Sequence, residues 1–138
     1  MRYFLDTNVL FDLFMSERAH YTASNALIKA AVRGEVQAVI TATSLMTVLH
    51  SLRKYGLPMD LVVARLSALL PHLTVAHIGQ VELLSGMNSG WSDLEDAVQF
   101  QAALNTGGIE AIVSNDKDFK QQDLIPVITP VQAVKRYK

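Results

Sequence analysis

Acidic residues fall in three groups whose placement could do chemistry: Asp6 in Asp6-Thr7-Asn8, then Asp93-Leu94-Glu95-Asp96, then Asn115-Asp116-Lys117-Asp118. Carboxylates held together repel one another, which raises their pKa values and costs stability unless a cation sits among them. The chain has no cysteine, so any metal must be held by oxygen or imidazole. An all-oxygen set suits Mg2+ or Mn2+, which prefer octahedral geometry, keep several waters and bind phosphate oxygens. The chemistry such a site would support is metal-assisted hydrolysis of a phosphodiester.

Each group also has an ordinary explanation. Asp93 and Asp96 are spaced to share a helix face, with Glu95 directed elsewhere, and acids in a first turn complement the helix dipole. Asp116 and Asp118, taken alone, read as turn formers whose side chains satisfy the backbone. Asp6 is harder to dismiss, because it ends an apolar run with no fixed cation nearby in sequence and would be costly to bury alone. His20, His72 and His77 have no metal-ligand spacing, and His50 reads as a surface residue on a helix flank. Trp91 could stack on a base, but packing of its loop against the core is the expectation. Arg53-Lys54 reads as a solvated helix end.

The elements that must position these acids are legible from apolar periodicity. Tyr3-Phe4-Leu5, Ala38 to Thr41, Leu73 to Ala76, Ala111 to Val113 and Val127-Ile128 read as short strands. Between them, Leu10, Phe11, Leu13 and Phe14 fall at helical spacing, and Ser16 to His20 interrupts before a second helix from Tyr21 to Gly34. Thr43 or Ser44 is a candidate cap for a helix carrying Leu45, Val48, Leu49 and Leu52, which ends at Tyr55-Gly56. Pro58 opens another through Leu70, and a further helix is expected around Val81 to Leu84. Gly86 to Gly90 reads as a loop. Ser92 precedes a strongly periodic helix with Leu94, Ala97, Val98, Ala102 and Leu104, stopped by Thr106-Gly107-Gly108. Phe119 is expected to plug the core behind the turn that begins at Ser114, and Thr129 with Pro130 starts the closing helix.

Strands alternating with helices predict an α/β, three-layer sandwich: a mostly parallel sheet of about four to five strands between helices. Function in such sheets collects beyond the carboxyl ends of the strands. Asp6 and the Asn115 to Asp118 turn both stand there.

A chain of 138 residues, half of them hydrophobic, fits one compact domain over 1–138. No stretch approaches the roughly 18–20 apolar residues of a membrane span, and no targeting segment is evident at the start, so a cytoplasmic location is expected. A net charge of −1 predicts no strong long-range attraction for a polyanion; basic residues cluster only at Arg53-Lys54 and Lys135-Arg136-Tyr137-Lys138. Phosphate contacts would have to be gathered locally or through bound cations.

The ordered motifs resemble those of PIN-domain proteins, the fold of VapC-type toxin ribonucleases and several RNA-processing nucleases. Leu5-Asp6-Thr7-Asn8-Val9-Leu10 is similar to the family's opening motif and Asp93-Leu94-Glu95-Asp96-Ala97-Val98-Gln99 to its central helix. Ile112 to Phe119 is similar to its last acidic turn, and Val127-Ile128-Thr129-Pro130 to its closing strand and helix start. The resemblance implies a Mg2+- or Mn2+-dependent endoribonuclease acting on RNA, with Asp6, Asp96, Asp93, Asp116 and Asp118 as metal ligands. It makes Asp6, Asp96, Asp116 and Asp93 the catalytic set, with Thr7, Asn8, Thr47, Asn115 and Ser114 orienting them or touching substrate. It also implies a toxin that dimerises and is silenced by an antitoxin docked in a hydrophobic groove.

In one respect the chain departs from the family. PIN domains commonly carry a glutamate on the helix after the second strand, where this sequence has Thr47. Asp93 could compensate; otherwise the alternative is a weakened domain that binds RNA or protein. Asn8 separates the sequence from phosphatases of the haloacid dehalogenase type, which need an Asp there. A phosphoacceptor receiver fits poorly, because acids also come from late in the chain.

Overall fold

The computed structural model describes residues 1–137; Lys138, the end of the basic terminal run, lies outside the described residues. Five parallel strands form one sheet in the order β3-β2-β1-β4-β5. They are β1 (Arg2–Leu5), β2 (Gln37–Thr41), β3 (Thr74–Ala76), β4 (Ala111–Val113) and β5 (Val127–Ile128). The helices are α1 (Thr7–Asp12), α2 (Tyr21–Val32), α3 (Ala42–Lys54), α4 (Met59–Leu69), α5 (Gln80–Met87), α6 (Leu94–Thr106) and α7 (Pro130–Tyr137).

Alternation along the strands sorts the core into two layers, because successive side chains point to opposite faces. Tyr3, Leu5, Ala38, Ile40, Ala111 and Val113 meet Leu10, Leu27, Val48, Leu52, Val62 and Ala133 on one face. Phe4, Val39 and Ile112 meet Phe100, Ala102, Ala103 and Phe119 on the other. The expected three-layer α/β architecture is the one observed. β3 reads faintly in the sequence because it lies at the sheet edge, where Thr74 and Val75 remain exposed.

Three local expectations are corrected. The cap of α3 is Thr41, the last strand residue, whose hydroxyl accepts from the Ser44 N–H at 3.1 Å. Helix α4 ends at Leu69, and Leu70–His72 tightens into a 3-10 turn. Gly86 is not loop: it lies in α5 where that helix crosses α6. A Cβ there would stand 2.6 Å from Val98 Cγ2 and 2.9 Å from the Val98 backbone nitrogen. Backbone cannot yield as a side chain can, so glycine is what lets the two helices touch. Gly86→Ala is expected to destabilise the protein by about 1–3 kcal/mol, read as a lower urea midpoint at unchanged m-value. An unaltered midpoint would mean that α5 slides on α6 without cost.

The closing helix starts as expected, with Thr129 Oγ1 accepting from the Gln132 N–H and Gln132 Oε1 accepting from the Thr129 N–H, at 3.2 and 2.9 Å. Phe119 is fully buried. Trp91 stacks on Phe100 at 5.3 Å and meets Phe119 edge-on at 6.1 Å, so its ring packs the loop before α6 onto the core.

Candidate metal centre

Sequence order reverses at the junction of β1 and β4, so a crevice opens beyond their carboxyl ends. Asp6 stands at the end of β1, its N–H donating to the Val113 carbonyl of β4 at 3.1 Å. Its Oδ2 accepts from Ser114 Oγ at 2.8 Å. The same serine oxygen accepts from the Asp116 N–H at 2.8 Å, and Asp116 Oδ1 accepts from the Asp118 N–H at 2.9 Å. Ser114 thus hooks the acidic turn after β4 onto the acid at the end of β1.

The amino end of α6 delivers the remaining acids. Asp93 is the helix cap, its Oδ1 accepting from the Asp96 N–H at 3.0 Å, so it precedes the helix instead of sharing a face with Asp96. Asp93, Asp96, Asp116 and Asp118 each place a carboxylate oxygen within 4.8 Å of the others. Asp6 stands outside that group of four, yet close enough for the charges of Asp116 and Glu95 to act on it.

Burial, opposed by the Ser114 hydroxyl and the Thr7 N–H, pushes the Asp6 carboxyl up to about 6; the charges of Asp116 and Glu95 add to the rise. Asp96 is also raised, first by burial and then by the facing Asp116 carboxyl and the charges of Asp6 and Asp93. Asp96 is only 5% exposed, and its Oδ2 has no hydrogen-bond partner among the described residues. A buried carboxylate oxygen without a donor is costly. Oxygen donors only, mutual repulsion and one orphaned buried oxygen are what a site shaped for a hard divalent cation presents.

The remaining residues singled out in the sequence fall around this centre. Thr7 begins α1, Asn8 and Asn115 line an adjoining cleft, and Thr47 faces inward from α3. Glu95 corrects an expectation. Far from pointing away, its Oε1 accepts from Thr7 Oγ1 at 2.9 Å and its Oε2 from Thr47 Oγ1 at 3.1 Å. Sequence reasoning also missed Ser44 and Gln99, both buried behind Thr7: Ser44 Oγ donates to Gln99 Oε1 at 2.9 Å. The available signal was a run of hydroxyls on α3 where an acid was sought. His50 is exposed.

Residues 2–118 match the PIN domain family. The chain belongs to that family. Among PIN-domain relatives, Ribonuclease VapC1 of Aquifex aeolicus is 27% identical over an alignment covering 97% of this chain and 94% of that protein. In fold, the chain is similar to VapC20 of Mycobacterium tuberculosis, a sarcin-ricin loop cleaving toxin, with TM-score 0.66, 16% identity and coverage of 86% and 93% of the two chains. It is similar as well to VapBC2 of Rickettsia felis bound to promoter DNA, with TM-score 0.65, 17% identity and coverage of 94% and 98%. A toxin–antitoxin complex from Klebsiella pneumoniae aligns at TM-score 0.60 and 22% identity, covering 93% of this chain and 97% of that one.

Two surfaces adjoin the PIN-domain centre. A cleft of about 680 Å³ is lined by Asn8, Arg18, His20, Asn115, Lys117 and Asp118, among others. Arg18 is held there by the buried Asp12 at 2.6 Å, and Asp12 is held in turn by Ser24 at 2.8 Å. On the other side, Met46, Leu83, Met87, Leu94 and Val98 form an apolar groove of about 480 Å³ that reaches Thr47 and Glu95. No helix among the described residues is long and apolar enough to cross a membrane.

Proposed function

We propose that this PIN domain, acting as one unit over 1–138, is a divalent-metal-dependent endoribonuclease and the toxin of a toxin–antitoxin pair. The observation that carries the reading is the buried, unpartnered Asp96 oxygen among four converging carboxylates at the strand-order reversal of a PIN fold. Asp96, Asp116, Asp118 and Asp93 would hold Mg2+ or Mn2+ together with Asp6. A bound cation there neutralises phosphoryl charge and lowers the pKa of water for in-line attack.

The chain's own groups do the rest. Ser114 fixes the Asp6 carboxyl and the acidic turn in one register. Asp93 fastens the start of α6, whose dipole favours the acids gathered there. Arg18, pinned by Asp12, and Lys117 place cationic groups along the adjoining cleft, where an RNA backbone leaving the centre would need them. Asn8 and Asn115 offer neutral donors to phosphate oxygens.

The apolar groove supports an antitoxin partner. Met46, Met87, Leu94 and Leu83 along it are 62%, 56%, 49% and 43% exposed, apolar side chains that a partner's apolar segment could cover. A homodimer and a cytoplasmic location belong to the same reading.

Purified protein incubated with a mixed RNA pool should cleave it with Mn2+ or Mg2+ and fall silent in EDTA. Manganese should also raise its melting temperature, because a ligand bound only by the folded state stabilises it. The absence of both cleavage and a metal-induced rise would reduce the chain to a binding module.

A further inference from the structure

The centre has one acid that neither helix capping nor the group of four explains. Glu95, in the first turn of α6, is gripped by hydroxyls from two other helices, Thr7 of α1 and Thr47 of α3. A first-turn acid that served only the helix dipole would need no such partners.

The grip is prepared from behind. Gln99 Nε2 donates to Thr7 Oγ1 at 3.3 Å and Ser44 Oγ lies 2.9 Å from the same oxygen, so two buried side chains fix Thr7 beside Glu95. Gln99 is itself fully buried and held by Ser44, which Thr41 positions at 3.0 Å. Two charge-assisted hydrogen bonds from fixed helices set the carboxylate in place. They hold it near enough for its charge to act on Asp6.

We propose that Glu95 is a functional carboxylate of the cation site, reaching across from α6 to the spot on α3 where Thr47 carries a hydroxyl and no charge. The inference rests on the reading of the centre as a divalent-metal site, to which the orphaned Asp96 oxygen independently points. Thr47 is then the anchor for an acid that starts on the neighbouring helix.

The test is Mn2+ affinity, measured by titrating the metal-induced rise in melting temperature of the whole chain. Glu95→Gln keeps shape and removes charge; it should weaken Mn2+ binding by about 10- to 100-fold. Moving the acid back, in the double variant Glu95→Gln with Thr47→Glu, should restore most of the affinity. Thr47→Val, which removes one anchor, should weaken binding several-fold. If Glu95→Gln lowers the metal-free melting temperature yet binds Mn2+ as the parent does, Glu95 is a structural strut and the proposal fails. Weakened binding that Thr47→Glu does not recover overturns the equivalence of the two positions. No Mn2+ response in the unsubstituted protein refutes the metal-site reading itself, a separate outcome.

Discussion

Asp6→Asn is expected to abolish metal-dependent RNA cleavage, lowering kcat/KM by at least about a thousandfold, on the order of 4 kcal/mol of transition-state stabilisation. Asp6 is only 1% exposed at the central strand's end, and the charges of both Asp116 and Glu95 act on it. No other acid reaches that position from β1. Asparagine has the same shape, and its carbonyl can still accept from Ser114, so the fold should survive while the charge is lost. Cleavage within about tenfold of the parent would move the reacting centre away from Asp6 and onto the four carboxylates alone.

The same substitution should stabilise the metal-free protein, and the sign follows from protonation. Asp6 titrates near 3.9 in an unfolded chain and at about 6 in the folded one. Between those values the folded state keeps a proton that the unfolded state has lost, so stability falls as pH rises. The loss begins near pH 4 and is complete somewhat above pH 6, amounting to roughly 3 kcal/mol from Asp6. Asp96, raised in the same direction, carries the decline further upward.

In EDTA, the protein should therefore melt higher near pH 5 than near pH 7.5, flattening as Mn2+ is added. Asp6→Asn should be the more stable form near neutrality by up to about 3 kcal/mol, with the gap closing towards pH 4. A gap that widens on acidification would mean that the Asp6 carboxylate is stabilised by the fold, contrary to its burial. Carboxylates kept in mutual repulsion at a stability cost are what function, and not folding, explains.

Much of this was legible without coordinates. The strands, their order of appearance and the acids at their ends follow from short apolar runs broken by polar turns, signals that act over a few residues. The cap at Thr129, the stop at Gly107 and the burial of Phe119 belong to the same local grammar. The misreadings lie elsewhere. Thr41 took the cap from Thr43 or Ser44 because a strand-end hydroxyl faced the first turn. Gly86 looked like loop because the contact that demands glycine comes from Val98 on another helix.

Sequence alone determined the parallel α/β frame and that Asp6 and the Asn115 to Asp118 turn would open on its carboxyl edge. Only the tertiary structure decided which side chains meet there. It set Asp93, Asp96, Asp116 and Asp118 together, left Asp6 beside them, and swung Glu95 across to Thr7 and Thr47. The reason is physical: periodicity and capping are set by backbone neighbours, whereas the meeting of α1, α3 and α6 depends on how distant residues pack. Thr7 and Glu95 are 88 positions apart in the chain, and no local signal spans that distance.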